Sequence, residues 1–285
     1  MKFIIKHRSF FFLGVIVVLG AILRFWNLGN LPVSLNWDEV SHGYNAFSIL
    51  KTGKDEWGKV FPLIFRAFGD YKLPLYIYLS VIPVWLFGLS AFSVRFISAL
   101  SGIFAIPGIF LLTRSLFPEK QIAIGHWKLK IENLSAILLV ISPWHFFISR
   151  PALEANLALT LIIFGGYYLL RFFHQKSSLL PSVLLLGLSL HTYNTARVFV
   201  PLLVLVSLII YRPPWRDRFM KNVYAIILAI LFFGLVVFQV FVGEGTARYE
   251  KLKILSPATI FQIGEARTQS SFPPLVVRLV HNRPV

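Results

Sequence analysis

Seven apolar runs, each bounded by basic or turn-forming residues, dictate what this chain can fold into. They cover residues 10–26, 92–112, 134–148, 157–170, 179–190, 198–211 and 223–242. A backbone crosses ~30 Å of hydrocarbon only if its N–H and C=O groups are bonded internally, which a helix of about 20 apolar residues achieves. Several runs are shorter than that, so their ends must reach into flanking polar residues. Only 14% of residues are charged and 56% are hydrophobic, whereas a soluble domain carries about 25% charge. The chain is therefore expected to be an all-α integral membrane protein. Its architecture would be a polytopic helical bundle of about seven transmembrane helices. The sequence contains no Cys, which removes thiol redox chemistry and Cys–zinc sites.

The net charge of +16 would suit nucleic acid, but the basic residues lie between the apolar runs and read as topological, so no nucleic-acid partner is expected. An eighth apolar stretch, 74–89, is interrupted by Pro74 and Pro83. If it does not cross, one side collects Lys2, Lys6, Arg8, Arg114, Lys120, Lys128, Lys130, Arg171, Lys176, Arg212, Arg216, Arg218 and Lys221 against Glu119, Glu132 and Asp217. That is the cytoplasmic excess of Lys and Arg. If it does cross, every later basic loop falls outside. The stretch is therefore expected to lie at the outer interface or to re-enter from it.

The N-terminus is then cytoplasmic in a multi-pass plasma (inner) membrane protein, and Arg24 and Trp26 serve as interfacial anchors. The outer side receives a long first loop, 27–91, carrying amphipathic juxtamembrane helices, and short connections at 149–154 and 191–197. Residues 1–242 form the membrane module and 243–285 an outer tail. The tail closes no element, and further helices are expected beyond it.

The first outer loop carries the chemistry. Asn36-Trp37-Asp38-Glu39 fits an N-cap followed three residues later by Glu, and Val40, Tyr44, Phe47 and Leu50 recur at helical spacing up to Gly53. Two carboxylates thus sit in a helix's first turn, where the dipole favours the ionised form a general base needs. Capping assigns Glu39 a structural task and leaves Asp38 free. Further on, Asp70 and Lys72 precede the 74–89 stretch at headgroup depth. Arg95 opens the second run, Arg150 and Glu154 lie in one outer connection, and His191, Tyr193 and Arg197 lie in another. Singly, each has a plain structural explanation: a snorkelling anchor, an Arg150–Glu154 ion pair, a helix cap. Their convergence on one side points to a site, because ionisable groups near lipid are costly.

Together these residues resemble the GT-C superfamily of polyprenyl-phosphate-sugar glycosyltransferases, and are most similar to the protein O-mannosyltransferases, the lipid A aminoarabinose transferases and the Rgt-type bacterial enzymes. The resemblance rests on four features in order. The acidic pair Asp38-Glu39 follows the first helix. Asp70-Tyr71-Lys72-Leu73-Pro74-Leu75 leads into an apolar helix. A Gly-x-x-x-Phe-x-Val-Arg stretch runs from Gly88 to Arg95, and a Ser-Pro…Ser-Arg-x-x-x-Glu stretch from Ser142 to Glu154. The family's second acidic position is often Asp, and Glu154 stands here.

The resemblance implies inverting transfer of a sugar, mannosyltransferase-like, from a polyprenyl-phosphate donor to a glycan, lipid or protein acceptor. Asp38 would take the acceptor proton, with Glu39 beside it. Lys72, with Arg197 or Arg95, would stabilise the leaving phosphate. Asp70, Arg150, Glu154, His191 and Tyr193 would contact substrate. A carboxylate with a histidine leaves room for a divalent cation, and no other cofactor is called for. Two other readings stay open: a transporter or flippase of lipid-linked sugars, and a non-catalytic membrane protein that binds polyprenyl phosphate.

Overall fold

The computed structural model describes residues 2–68, 70–124, 127–211 and 222–241, with Phe261, Gly264, Glu265 and Gln269 beyond. The basic loop 212–221 and nearly all of the 243–285 tail lie outside the described residues, as do the side chains of Lys2, Lys6 and Arg8. The chain is mostly helical (73%). In order the elements are α1 (Lys2–Phe25), α2 (Trp37–Thr52), β1 (Phe65–Ala67), β2 (Asp70–Lys72), α3 (Pro74–Phe87), α4 (Ala91–Leu116), β3 (Gln121–Ile124) and β4 (Trp127–Lys130). They continue with α5 (Ile131–Ile141), α6 (Pro143–Ile148), α7 (Glu154–Phe173), α8 (Leu180–Leu190), α9 (Ala196–Tyr211) and α10 (Val223–Phe241). Among the described residues three helices, α4, α7 and α10, are long and apolar enough to cross a membrane, and five others are shorter apolar helices.

Contacts between named residues fix the directions of the helices. Phe10, near the start of α1, packs on Phe110 near the end of α4, while Phe25 at the end of α1 packs on Phe92 and Phe96. These two helices are antiparallel. Asn133 in the first turn of α5 bonds Ser9, so α5 runs with α1. Asn156 and Thr160 of α7 donate to the carbonyls of Ser98 and Ser101, so α7 runs with α4. Asn222 accepts from the Leu179 N–H and Phe232 packs on Gly187, so α10 runs with α8.

Close approach is built from small residues and polar ties, as expected where lipid gives little hydrophobic drive between helices. A Cβ added at Gly165 would meet Leu186 at 2.6 Å, and one at Gly187 would meet Phe232 at 2.1 Å. Outward, Phe11, Val15, Val18 and Ile22 form an exposed stripe at helical spacing on α1, while Leu13 and Ile16 are buried against Ile106 and Phe110.

α3 departs from the up-and-down pattern. Its first turn contacts α4 through the Tyr76 hydroxyl, which donates to Val94 O at 3.0 Å, and its last residue, Phe87, packs on Phe92 and Phe96. Both ends therefore touch a five-residue stretch of α4, so α3 lies across that end of the bundle. This is the geometry expected for an element lying at an interface.

Several details differ from expectation. The all-α description is incomplete, because two antiparallel hairpins, β1–β2 and β3–β4, interrupt it. The 134–148 run is broken at Ser142, which ends α5 and caps α6 before Pro143; proline cannot supply the N–H that a continuous helix needs. α2 follows its predicted apolar face only in part. Val40 and Tyr44 are exposed, Phe47 and Leu50 pack on the cluster of Ala46, Phe65, Ile77 and Val84, and Glu39, Ser41, His42, Gly43 and Asn45 are buried. Arg24 is not an interfacial anchor: it is fully buried, donating to Gly20 O and contacting His145 Nδ1 at 2.8 Å.

Candidate functional site

The site is assembled at the N-terminus of α2. Asn36 has extended backbone, its side chain accepts from the Glu39 N–H, and the Glu39 carboxylate accepts from the Asn36 N–H, which completes the capping box. Gly53 closes the helix in the left-handed region at φ 70°, where a side chain would be strained.

Glu39 does more than cap. Arg95 Nε donates to its Oε1 at 2.8 Å, and the Ala152 N–H donates to the same oxygen at 3.0 Å. Arg95 spends its remaining donors on the carbonyls of Leu28, Pro32 and Ser34 and on Glu39 Oε2. All five guanidinium N–H groups are occupied, and both side chains are 1% exposed. Arg95 therefore has no donor left for a phosphate, contrary to the sequence-based expectation. Together with Glu39 it locks α2, α4 and the 27–36 segment into one unit.

Arg150 follows the same logic. It forms no ion pair with Glu154; its guanidinium donates to the carbonyls of Leu23, Trp26 and Leu31 and so ties the end of α1 to the loop before α7. Basic side chains that looked like site cations are thus internal struts, because a chain turning near lipid must satisfy its carbonyls from within.

Asp38, Asp70, Lys72 and Glu154 do converge. Asp70 and Lys72 flank Tyr71 in β2 and so point to one face, with register fixed by Ala67↔Asp70 and Phe65↔Lys72. Lys72 Nζ lies 2.9 Å from Asp38 Oδ1, 3.4 Å from Asp70 Oδ2 and 3.8 Å from Glu154 Oε1. Lys72 is only 5% exposed, whereas the side chains of Asp38 and Asp70 are 29% and 33% exposed. One ammonium thus sits beneath three carboxylates, two of which face outward. Burial pulls the Lys72 pKa down, but Glu154, Asp38 and Asp70 outweigh it and hold it above the ordinary lysine value.

His42, one turn along α2 from Asp38, joins the cluster. It is fully buried, its Nδ1 lies 3.1 Å from the Ala152 carbonyl, and its Nε2 lies 3.6 Å from Glu154 Oε2. The carbonyl bond places the neutral tautomer's proton on Nδ1 and leaves Nε2 as a base facing Glu154. Sequence reading passed over His42, although the i, i+4 spacing from Asp38 marks the pair as neighbours on one helix face.

Burial, opposed by Glu154, lowers the His42 pKa below 6.5. The unfolded chain therefore binds more protons than the folded one between the two values, and stability falls as pH drops below about 6.5. Melting curves between pH 7 and pH 5 should show a slope that is shallower in His42→Gln, by at most about 1.4 kcal/mol per pH unit. An identical slope would remove His42 from the acid sensitivity.

The 191–197 connection forms a neighbouring group. Arg197 donates to the Leu190 carbonyl and bonds Gln239, which donates to Leu63 O at 3.0 Å. The Leu75 N–H donates to His191 O, and His191 Nε2 is buried with no bond partner among the described residues. Arg197 is thereby engaged away from Lys72, linking α9 and α10 to the outer loop.

Tyr193 instead lines one end of an apolar slot of about 650 Å³ between α7 and α9. The slot runs from Ala155 and Tyr193 to Leu116 and Tyr211, and Ala155 adjoins Glu154. Among the described residues no group of three or more His, Asp or Glu is placed to hold a metal; the Lys72 ammonium occupies the centre of the carboxylates.

No protein-family model, curated protein or solved structure matches the chain.

Proposed function

We propose that the chain is an inverting glycosyltransferase, moving a sugar from a polyprenyl-phosphate donor to an acceptor at the extracytoplasmic face of a bundle that crosses the plasma membrane seven times. The antiparallel α1 and α4, with α5 running with α1, α7 with α4 and α10 with α8, and α3 lying across one end, support that crossing pattern. The observation that carries the activity is the pairing of a half-exposed carboxylate, Asp38, with a buried ammonium, Lys72, at 2.9 Å.

The ammonium pairs with the Asp38 carboxylate, the group that would take the proton of an acceptor hydroxyl. Asp70 and Glu154 offer acceptors suited to sugar hydroxyls, and the Asp38–Lys72 contact is the one a donor phosphate would exchange with as it leaves. Three carboxylates around one ammonium are net negative. An arriving phosphate is therefore held chiefly by its lipid tail, for which the slot beginning beside Glu154 is an apolar path. The new bond joins the acceptor oxygen to the sugar's anomeric carbon, the anomeric C–O bond to phosphate breaks, and the acceptor proton passes to Asp38.

Lys72→Met tests the cation. Sugar transfer in detergent should fall by about 10²-fold or more, with a larger loss in donor use than in acceptor binding. An unchanged donor response would remove the phosphate role. Transfer without a sealed membrane also separates an enzyme from a flippase, since translocation needs two compartments.

A further inference from the structure

We infer that the end of the bundle opposite Asp38 is a binding site for the phosphate headgroup of an anionic phospholipid. A cavity of about 1080 Å³ opens there, where α4 and α7 both end; Arg114, Arg171, His174 and Lys176 line it, against one carboxylate, Glu119. The inference rests on the chain lying in a membrane and not on its activity.

The cations are held ready for an anion. The Arg114 guanidinium lies over the Phe10 ring at 5.1 Å, which fixes it without consuming its N–H donors. Arg171 spends one donor on the Tyr167 hydroxyl at 3.1 Å and one on the Lys176 carbonyl at 3.1 Å, which leaves three. Neither Arg114, Arg171 nor Lys176 ion-pairs with a described carboxylate.

Ordinary helix capping explains one basic residue in each last turn. It does not explain cations from two helices and a following turn surrounding one cavity. The walls are amphiphilic: Phe10, Leu111 and Leu116 supply apolar surface beside the guanidiniums. A free phosphate needs no such surface, whereas a lipid does. The cavity also shares Leu116 and Tyr211 with the apolar slot between α7 and α9, so its wall stays apolar beyond the headgroup.

The test uses the full chain, purified and delipidated in detergent, with phosphatidylglycerol or phosphatidylcholine added at equal concentration and bound lipid counted by native mass spectrometry. Phosphatidylglycerol should be retained about tenfold more than phosphatidylcholine, and Arg114→Gln with Arg171→Gln should lower its retention about tenfold. Millimolar inorganic phosphate should leave the lipid in place. Equal retention of the two lipids, or unchanged retention in the double variant, overturns the site. Displacement by inorganic phosphate assigns it to a free anion and overturns the lipid. If the double variant does not fold, wild-type melting decides. A higher melting temperature with phosphatidylglycerol than with phosphatidylcholine supports the site, and equal values overturn it.

Discussion

Asp38→Asn should lower sugar transfer from a polyprenyl-phosphate donor by about 10²–10⁴-fold, the usual contribution of a positioned base, while the folded protein survives. The asymmetry follows from where Asp38 sits. Its side chain is 29% exposed and its ion pair is with Lys72. An asparagine keeps its size and one oxygen to accept from that ammonium, so the helix start, held by Asn36 and Glu39, is untouched. What is lost is a group that can carry a proton away from an attacking hydroxyl. Exposure also caps the stability cost, because a half-solvated pair contributes about 0–1 kcal/mol. Activity and melting temperature should therefore separate cleanly. Near wild-type transfer by Asp38→Asn would sink the mechanism, and comparable losses of fold and activity would make Asp38 a structural residue.

The same separation explains which parts of the site could be read from sequence. The Asn36–Glu39 box and the Gly53 stop are local, set by residues three apart and by one left-handed φ, and both stand in the structure as the sequence implies. The convergence of Asp38, Lys72 and Glu154 was legible only as a shared side, because which side a loop occupies follows from charge and span length. Distances do not follow from that. Arg95 and Arg150 were misassigned for a physical reason: a guanidinium near lipid is as valuable for satisfying turn carbonyls as for binding phosphate, and sequence does not say where carbonyls will point. The β1–β2 hairpin was missed because its strands are three residues long, too short for an alternating pattern to register. α2 kept only the second half of its predicted apolar face: Phe47 and Leu50 pack on Phe65 and Ile77, while at the first turn Glu39 turns inward to Arg95 and Ala152 and leaves Val40 and Tyr44 outward.

Arg95→Leu should be the most damaging single substitution to the fold, costing about 3–5 kcal/mol. The change strands Glu39, which is 1% exposed, as a buried carboxylate without its cation. It also unpairs the carbonyls of Leu28, Pro32 and Ser34, which accept from the two terminal guanidinium nitrogens at 2.9–3.0 Å. Each unsatisfied buried acceptor adds about 1–3 kcal/mol before relaxation, against a total stability of about 5–15 kcal/mol for a typical domain. Purified Arg95→Leu should therefore melt far below wild type or fail to accumulate. The pair rather than the arginine alone is responsible, so adding Glu39→Gln should restore part of the loss: a neutral amide needs no cation and still accepts from the Ala152 N–H. A double-mutant cycle in melting free energy should give a coupling of about 1–3 kcal/mol, and zero coupling would refute the strut. Asp38 makes the result matter for chemistry. It is the residue before Glu39, on the helix turn that Arg95 holds against α4, so in the proposed mechanism the base would be aimed by a lock that itself makes no contact with substrate. Transfer per folded molecule should therefore fall in any Arg95 variant that survives.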